Sequence, residues 1–370
     1  MKEKAFQNDP SVSFESCCVV NGERWFFANE FNALCCMNTN DEIVFKGVAP
    51  GENDSSIYLF ADIKYFDNKI YLIPRGASAL IVYDIDLNTF KRYEIEAPST
   101  TNKNPYIDYL KFSNGVIHEG KLYMIPRTYP AIVVFDIRNG SLEYETDWIK
   151  LINDHIFEGE AFFWSDYSIS NNELVLACAN SDCIVRRSFV SNEYSVQHVL
   201  NDNKGFSGIE IIDNHMFLCS RKDGQICNVD ENGVVNKLCM PEGFKVEKII
   251  GFSKLLILNG FLYAIPMWSN YFIRINIDNS QIEVVKNYGD ERQGNEEVVT
   301  CCAWIENDKV YLDNNLAHVI DVYSDHGFLD VIELNTNLNF TKSRIEFMAE
   351  NGVIIHENKF NSLDRFLSCI

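Results

Sequence analysis

Three arginines of this chain recur at one place in its pattern: Arg75, Arg127 and Arg221 each follow an aromatic residue (Phe60, Phe112, Phe206) by fifteen positions. A guanidinium offers a planar fork of N–H donors that matches carboxylate or phosphate, so three of them on one rim would receive a small anion. Trp268, beside Met267 at the equivalent position of another unit, would add a stacking surface. The plainer alternative is that each arginine covers its own cross-strand aromatic in a cation–π contact, worth about 0.5–1 kcal/mol at exposed sites.

Groups able to move protons are fewer. His155, Glu158, His318 and His326 fall in segments expected near the same face as the arginines, whereas His118 and His215 flank turns of the other face. His318 and His326, taken with Asp321 and Asp325, would make a metal or proton-transfer site, or are incidental loop residues. Carboxylates gather before the fourth unit (Asp154, Glu158, Glu160) and the seventh (Asp290, Glu291, Glu296, Glu297). Sequence alone does not set the separation that acid–base catalysis requires. There is no G-x-S-x-G, phosphate-binding glycine loop, H-E-x-x-H or EF-hand pattern, so no cofactor and no bound metal is expected.

Composition narrows the partners. With 32 Lys and Arg against 53 Asp and Glu, a net charge of -21, nucleic acid and anionic membranes are repelled overall. The start of the chain, Met1-Lys2-Glu3-Lys4-Ala5-Phe6, has no apolar signal core, and no run reaches the roughly 18 apolar residues of a membrane span; a soluble, cytoplasmic protein is expected. The 12 cysteines include the vicinal pairs Cys17-Cys18, Cys35-Cys36 and Cys301-Cys302 and no C-x-x-C. They read as small reduced hydrophobes.

The elements that hold these residues come from a repeat. An aromatic is followed eleven residues later by another aromatic or apolar residue at Phe14/Trp25, Phe60/Tyr71, Phe112/Tyr123, Trp164/Val175, Phe206/Phe217, Phe252/Tyr263 and, less regularly, Thr300/Tyr311. Midway stand Asn21-Gly22, Asp67-Asn68, Glu119-Gly120, Asn171-Asn172, Asp213-Asn214, Asn259-Gly260 and Asn307-Asp308. Gly, Asn and Asp tolerate the positive φ of type I′ turns, so each unit opens with a tight β-hairpin. A third strand ends in an apolar residue and a turn-closing Asp or Asn (Asn38, Asp84, Asp136, Asp230, Asn276), and a fourth segment alternates, as in Phe90-Lys91-Arg92-Tyr93-Glu94-Ile95. Four strands, seven times, at intervals of 42 to 52 residues predict an all-β fold, a seven-bladed β-propeller. Residues 1–13 are a lead-in, 14–350 the propeller and 351–370 a C-terminal tail.

The stretch Gly120-Lys121-Leu122-Tyr123-Met124-Ile125-Pro126 followed by Ile132-Val133-Val134-Phe135-Asp136 resembles the second half of a kelch repeat, as do the segments around Tyr71 and Tyr263. The resemblance extends over most of the chain but not to the kelch Gly-Gly pair, which is replaced by Ile73-Pro74 or Ile125-Pro126, nor to its late tryptophan. It implies a blade shape and carries no functional residue with it.

Two segments depart from the pattern. In unit seven an insertion of about nine residues is expected within 314–327, with 328–334 as third strand and 340–347 as fourth, because an ungapped reading puts Asp321 where the other units are apolar. In the tail, Ser362 would cap a short helix carrying Leu363, Phe366, Leu367 and Ile370. No strand exchange between the termini is expected to close the ring.

The expected function is a non-catalytic binding or scaffolding propeller for a protein partner or a small anionic ligand or glycan, using the face of the strand 2–3 and blade-joining loops. The alternative is an enzyme of lyase or hydrolase class that holds an anionic small molecule or glycan with the rim arginines. Converging arginines with a histidine or carboxylate within reach would distinguish the two.

Overall fold

The computed structural model describes residues 12–97, 104, 106–159, 162–200, 202–292 and 297–350. Seven four-stranded antiparallel sheets form, each from consecutive strands. They span residues 17–47, 60–94, 112–145, 164–198, 206–237, 252–287 and 303–333, blades one to seven. The first strand begins at the expected anchor in blades two to six and three residues after it in blades one and seven. All seven hairpin dipeptides take positive φ at both residues, from Asn21 (53°) and Gly22 (83°) to Asn307 (48°) and Asp308 (56°), the backbone of a type I′ turn. The third-strand ends also behave as read. Leu87 N donates to Asp84 Oδ1 at 3.0 Å, Arg138 N to Asp136 Oδ1 at 2.9 Å and Asn232 N to Asp230 Oδ1 at 2.9 Å, with Asn38 and Asn276 accepting in the same way.

The inner strands are stapled to one another by polar side chains. Asp62 Oδ2 accepts Gly115 N from the next blade at 2.7 Å, Asp166 Oδ2 accepts Ile209 N at 3.2 Å, and Ser168 Oγ donates to Glu210 Oε1 at 2.7 Å. Gly115 is required for this approach, since a Cβ there would lie 2.8 Å from Ile73 Cγ1. Burial raises the Asp166 carboxyl to about 7, with Lys254 opposing the shift.

Among the described residues the ring closes without strand exchange. Val12 N donates to Leu334 O at 3.2 Å, Phe14 stacks on Phe26 at 4.4 Å, and Arg24 of blade one meets Glu306 of blade seven at 2.8 Å.

Blade seven corrects the sequence reading. There is no insertion: the third strand is Val319–Ser324 and the fourth Gly327–Glu333. Asp321 does occupy the usually apolar place, and the network described below makes its burial tolerable. Residues 340–347, expected as a strand, lie in the second of two α-helices among the described residues, α1 (Asp147–Ile152) and α2 (Leu338–Glu350). Phe340, Arg344, Phe347 and Met348 share one helical stripe. The Phe340 and Phe347 rings stand 6.0 and 5.5 Å from Phe45, and Arg344 lies 4.4 Å from Phe31, on the outer side of blade one. Asn337 Oδ1 accepts Phe340 N at 3.0 Å and caps the helix. The helix expected from Ser362 to Ile370 lies outside the described residues.

Candidate functional site

Each arginine follows the last residue of a second strand, so all three stand in strand 2–3 loops on one face. Their register is one residue away from expectation. A bulge shifts the pairing between Phe60/Pro74 and Asp62/Ile73, and Arg75 N then donates to Leu59 O at 2.8 Å. Arg127 N likewise donates to Lys111 O and Arg221 N to Gly205 O. The aromatic partners shift too. Instead of covering Phe60, Phe112 and Phe206, Arg75 lies 4.7 Å over Tyr58, while Arg127 and Arg221 approach the one ring of Phe162 at 5.2 and 5.5 Å.

The rims are tied together by backbone. Lys111 N donates to Arg75 O and Phe163 N to Arg127 O, which continues the mouth of the channel from blade two to blade four. At blade five, Gly205 takes φ +64°, and a Cβ there would fall 2.3 Å from Ala179 O. Only glycine lets this loop close on its neighbour, and the same Ala179 O accepts Arg221 Nη1 at 3.2 Å.

Electrostatically the three guanidiniums are unequal. Arg75 is ion-paired with Glu15. Arg127 has no carboxylate within ion-pair distance among the described residues and no side-chain hydrogen bond. Burial, together with Arg75 and Arg221, pulls it down to about 10, with Glu15 and Cys301 opposing. It therefore stays charged at neutral pH, at a cost to the fold. Around the mouth several buried polar atoms lack protein partners, among them Arg75 Nε, Asn180 Oδ1 and Ser207 Oγ. Unsatisfied groups in such number call for bound water or ligand.

Of the other candidates, Trp268 stands on the same rim, where its N donates to Ile250 O at 3.2 Å and Ile250 N donates to Arg221 O. Trp268 lies beneath Lys248, 4.7 Å from its ring, and its backbone carbonyl accepts Arg292. His155 sits in the short turn Asn153–His155 after helix α1 (Asp147–Ile152), its Nε2 3.2 Å from His198 Nε2. Glu158 is exposed in the loop that leads to Phe162. His318 and His326 are not brought together: they lie at opposite ends of Val319–Ser324, a strand about 20 Å long at 3.3 Å per residue. Asp321 is buried within that strand and bonded to tyrosines, so of the expected group only His326 and Asp325 meet, at 3.8 Å. Among the described residues no group of three or more His, Cys, Asp or Glu could hold a metal, and no helix is long and apolar enough to cross a membrane.

Sequence reading missed Glu15, Tyr58 and Phe162. The last two both stand two residues before their anchors, Phe60 and Trp164. That shared offset was the available signal. A separate cleft of about 1280 Å³ opens on the opposite face between blades two and three, over Tyr71, Tyr93 and Phe135, and contains none of the three arginines.

No protein-family description and no curated protein sequence matches the chain. Solved structures do. Catalytically inactive virginiamycin B lyase from Staphylococcus aureus with quinupristin superposes with a TM-score of 0.61 at 12% identity, over 84% of this chain and 94% of that one. A streptogramin B lyase gives 0.60 at 11%, over 84% and 93%. BamB from Moraxella catarrhalis gives 0.53 at 9%, over 88% and 90%. At such identities the likeness is one of fold, and the chain is a seven-bladed β-propeller.

Proposed function

We propose that the protein is a binding propeller whose channel mouth receives a small anionic ligand, a carboxylate or phosphate ester, between Arg127 and Arg221 over Phe162. The observation that supports this is Arg127: a half-buried guanidinium that shares the ring of Phe162 with Arg221 and has no carboxylate within ion-pair distance among the described residues. Arg187, by contrast, is neutralised by Glu145 at 2.6 and 2.8 Å. A charge left uncompensated at a loop rim is a place for an external anion. The lyases of like fold leave catalysis open in principle. Binding is preferred because the carboxylate nearest the arginines, Glu15, is engaged by Arg75, and His155, His318 and His326 stand apart from the site. The blades are also proposed to be kelch-like in shape, on the segments around Tyr71, Tyr123 and Tyr263.

Calorimetry against a panel of sugar acids and phosphorylated metabolites tests the reading. Wild type should bind at least one. Arg127→Ala and Arg221→Ala should each weaken it by about 1.5–3 kcal/mol, the worth of a charged hydrogen bond. No heat with any member of the panel, or unchanged binding in both variants, would refute it.

A further inference from the structure

In six blades the residue twenty-one positions after the anchor, mid-way along the third strand, is apolar and buried: Cys35, Ile81, Val133, Val185, Cys227 and Ile273. In blade seven it is Asp321, paired across the sheet with Leu312 and only 2% exposed. A carboxylate taken out of water must be compensated. One of its oxygens is: Oδ2 accepts the Tyr288 hydroxyl at 2.7 Å, Lys286 Nζ at 3.0 Å, Asn314 Nδ2 at 3.0 Å and the Tyr323 hydroxyl at 3.3 Å. Oδ1 has no hydrogen-bond partner among the described residues, yet is not sealed from solvent.

Asp321 opens on a recess of about 450 Å³ between the outer parts of blades six and seven, shared with Lys286, Glu291, Leu316, Phe328 and Val331. The charges in it alternate. Lys286 Nζ stands 3.0 Å from Asp321 and 3.1 Å from Glu291. A cationic ligand would meet the ammonium and an anionic one the two carboxylates, so neither sign is favoured. A neutral group that carries a donor beside an acceptor does fit. One hydroxyl of a vicinal diol would donate to Asp321 Oδ1, while its neighbour would accept from Lys286 Nζ, turned from the Tyr288 ring that it stands over at 4.4 Å. The wall beside them is apolar and open, with Phe328 at 55% and Val331 at 43% exposure, a surface suited to the C–H face of a sugar ring.

We propose that this recess is a second ligand site, independent of the arginine mouth, which takes a neutral saccharide through adjacent hydroxyls on Asp321 and Lys286 with a ring face on Phe328.

Saturation-transfer NMR on the full chain, with a panel of neutral hexoses, pentoses, N-acetylhexosamines and disaccharides, tests this. At least one should receive saturation from the wild type. Phe328→Ala, on an exposed strand where folding is not at stake, should weaken that binding roughly tenfold, as should Asp321→Asn if its circular dichroism stays native. Arg127→Ala should leave it unchanged. No saturation of any sugar in the panel, binding undisturbed by Phe328→Ala, or binding lost in Arg127→Ala would each overturn the proposal.

Discussion

The proposed site turns on one residue, Arg127, and on what its charge costs the fold. Its guanidinium falls from 12.5 to about 10 because burial and two neighbouring arginines disfavour the charge. At neutral pH the folded state bears that penalty in full, on the order of 2 kcal/mol after allowance for the water that reaches the mouth. Asp166 is a second strained group, and its sign is opposite to the usual carboxylate. The folded carboxyl titrates at about 7 and the unfolded one near 3.8. Its contribution to stability is therefore complete below pH 4 and lost as pH rises through 7. Urea unfolding should show that decline in the wild type, and Asp166→Asn should flatten it between pH 4 and 7. A decline of equal slope in the variant would assign the pH dependence to other groups.

Among the elements, the hairpins and third-strand turns were legible because their chemistry is local. Asn, Asp and Gly at the turn dipeptides have few other reasons to recur at one register, and Asp84, Asp136 and Asp230 close turns with their own side chains. What was not legible was non-local. The bulge before each rim arginine changes the cross-strand count by one and leaves no mark in residue type. Asp321 reads as an exception in the sequence, but its partners Lys286 and Tyr288 come from the preceding blade, so the sequence alone favours an insertion over a buried network. Helix α2 was hidden for a related reason, since it depends on Phe31 and Phe45 of blade one, far away in sequence. Phe340→Ala should remove its principal anchor, at about 3–5 kcal/mol for a buried aromatic. Limited trypsinolysis should then cut rapidly at Lys342 or Arg344. Resistance equal to the wild type would mean that Phe347 and Met348 hold the helix by themselves.

At the scale of the whole molecule, a chain of net charge -21 concentrates three guanidiniums at one end of its channel. Acidic loops discourage bulk polyanions, yet their reach is only about 8 Å at physiological salt. A small anion can therefore still enter the mouth. Such a site should trade stability for binding, since the charges that attract a ligand repel one another while it is absent. Thermal unfolding of wild type and Arg127→Met, each with and without the panel of sugar acids and phosphorylated metabolites, tests that trade most directly. Methionine keeps contact with Phe162 and removes the charge. The account predicts that Arg127→Met melts higher than wild type without ligand and that only the wild type is raised by an anion. A variant that melts at or below the wild type, with no anion shifting either protein, would contradict it.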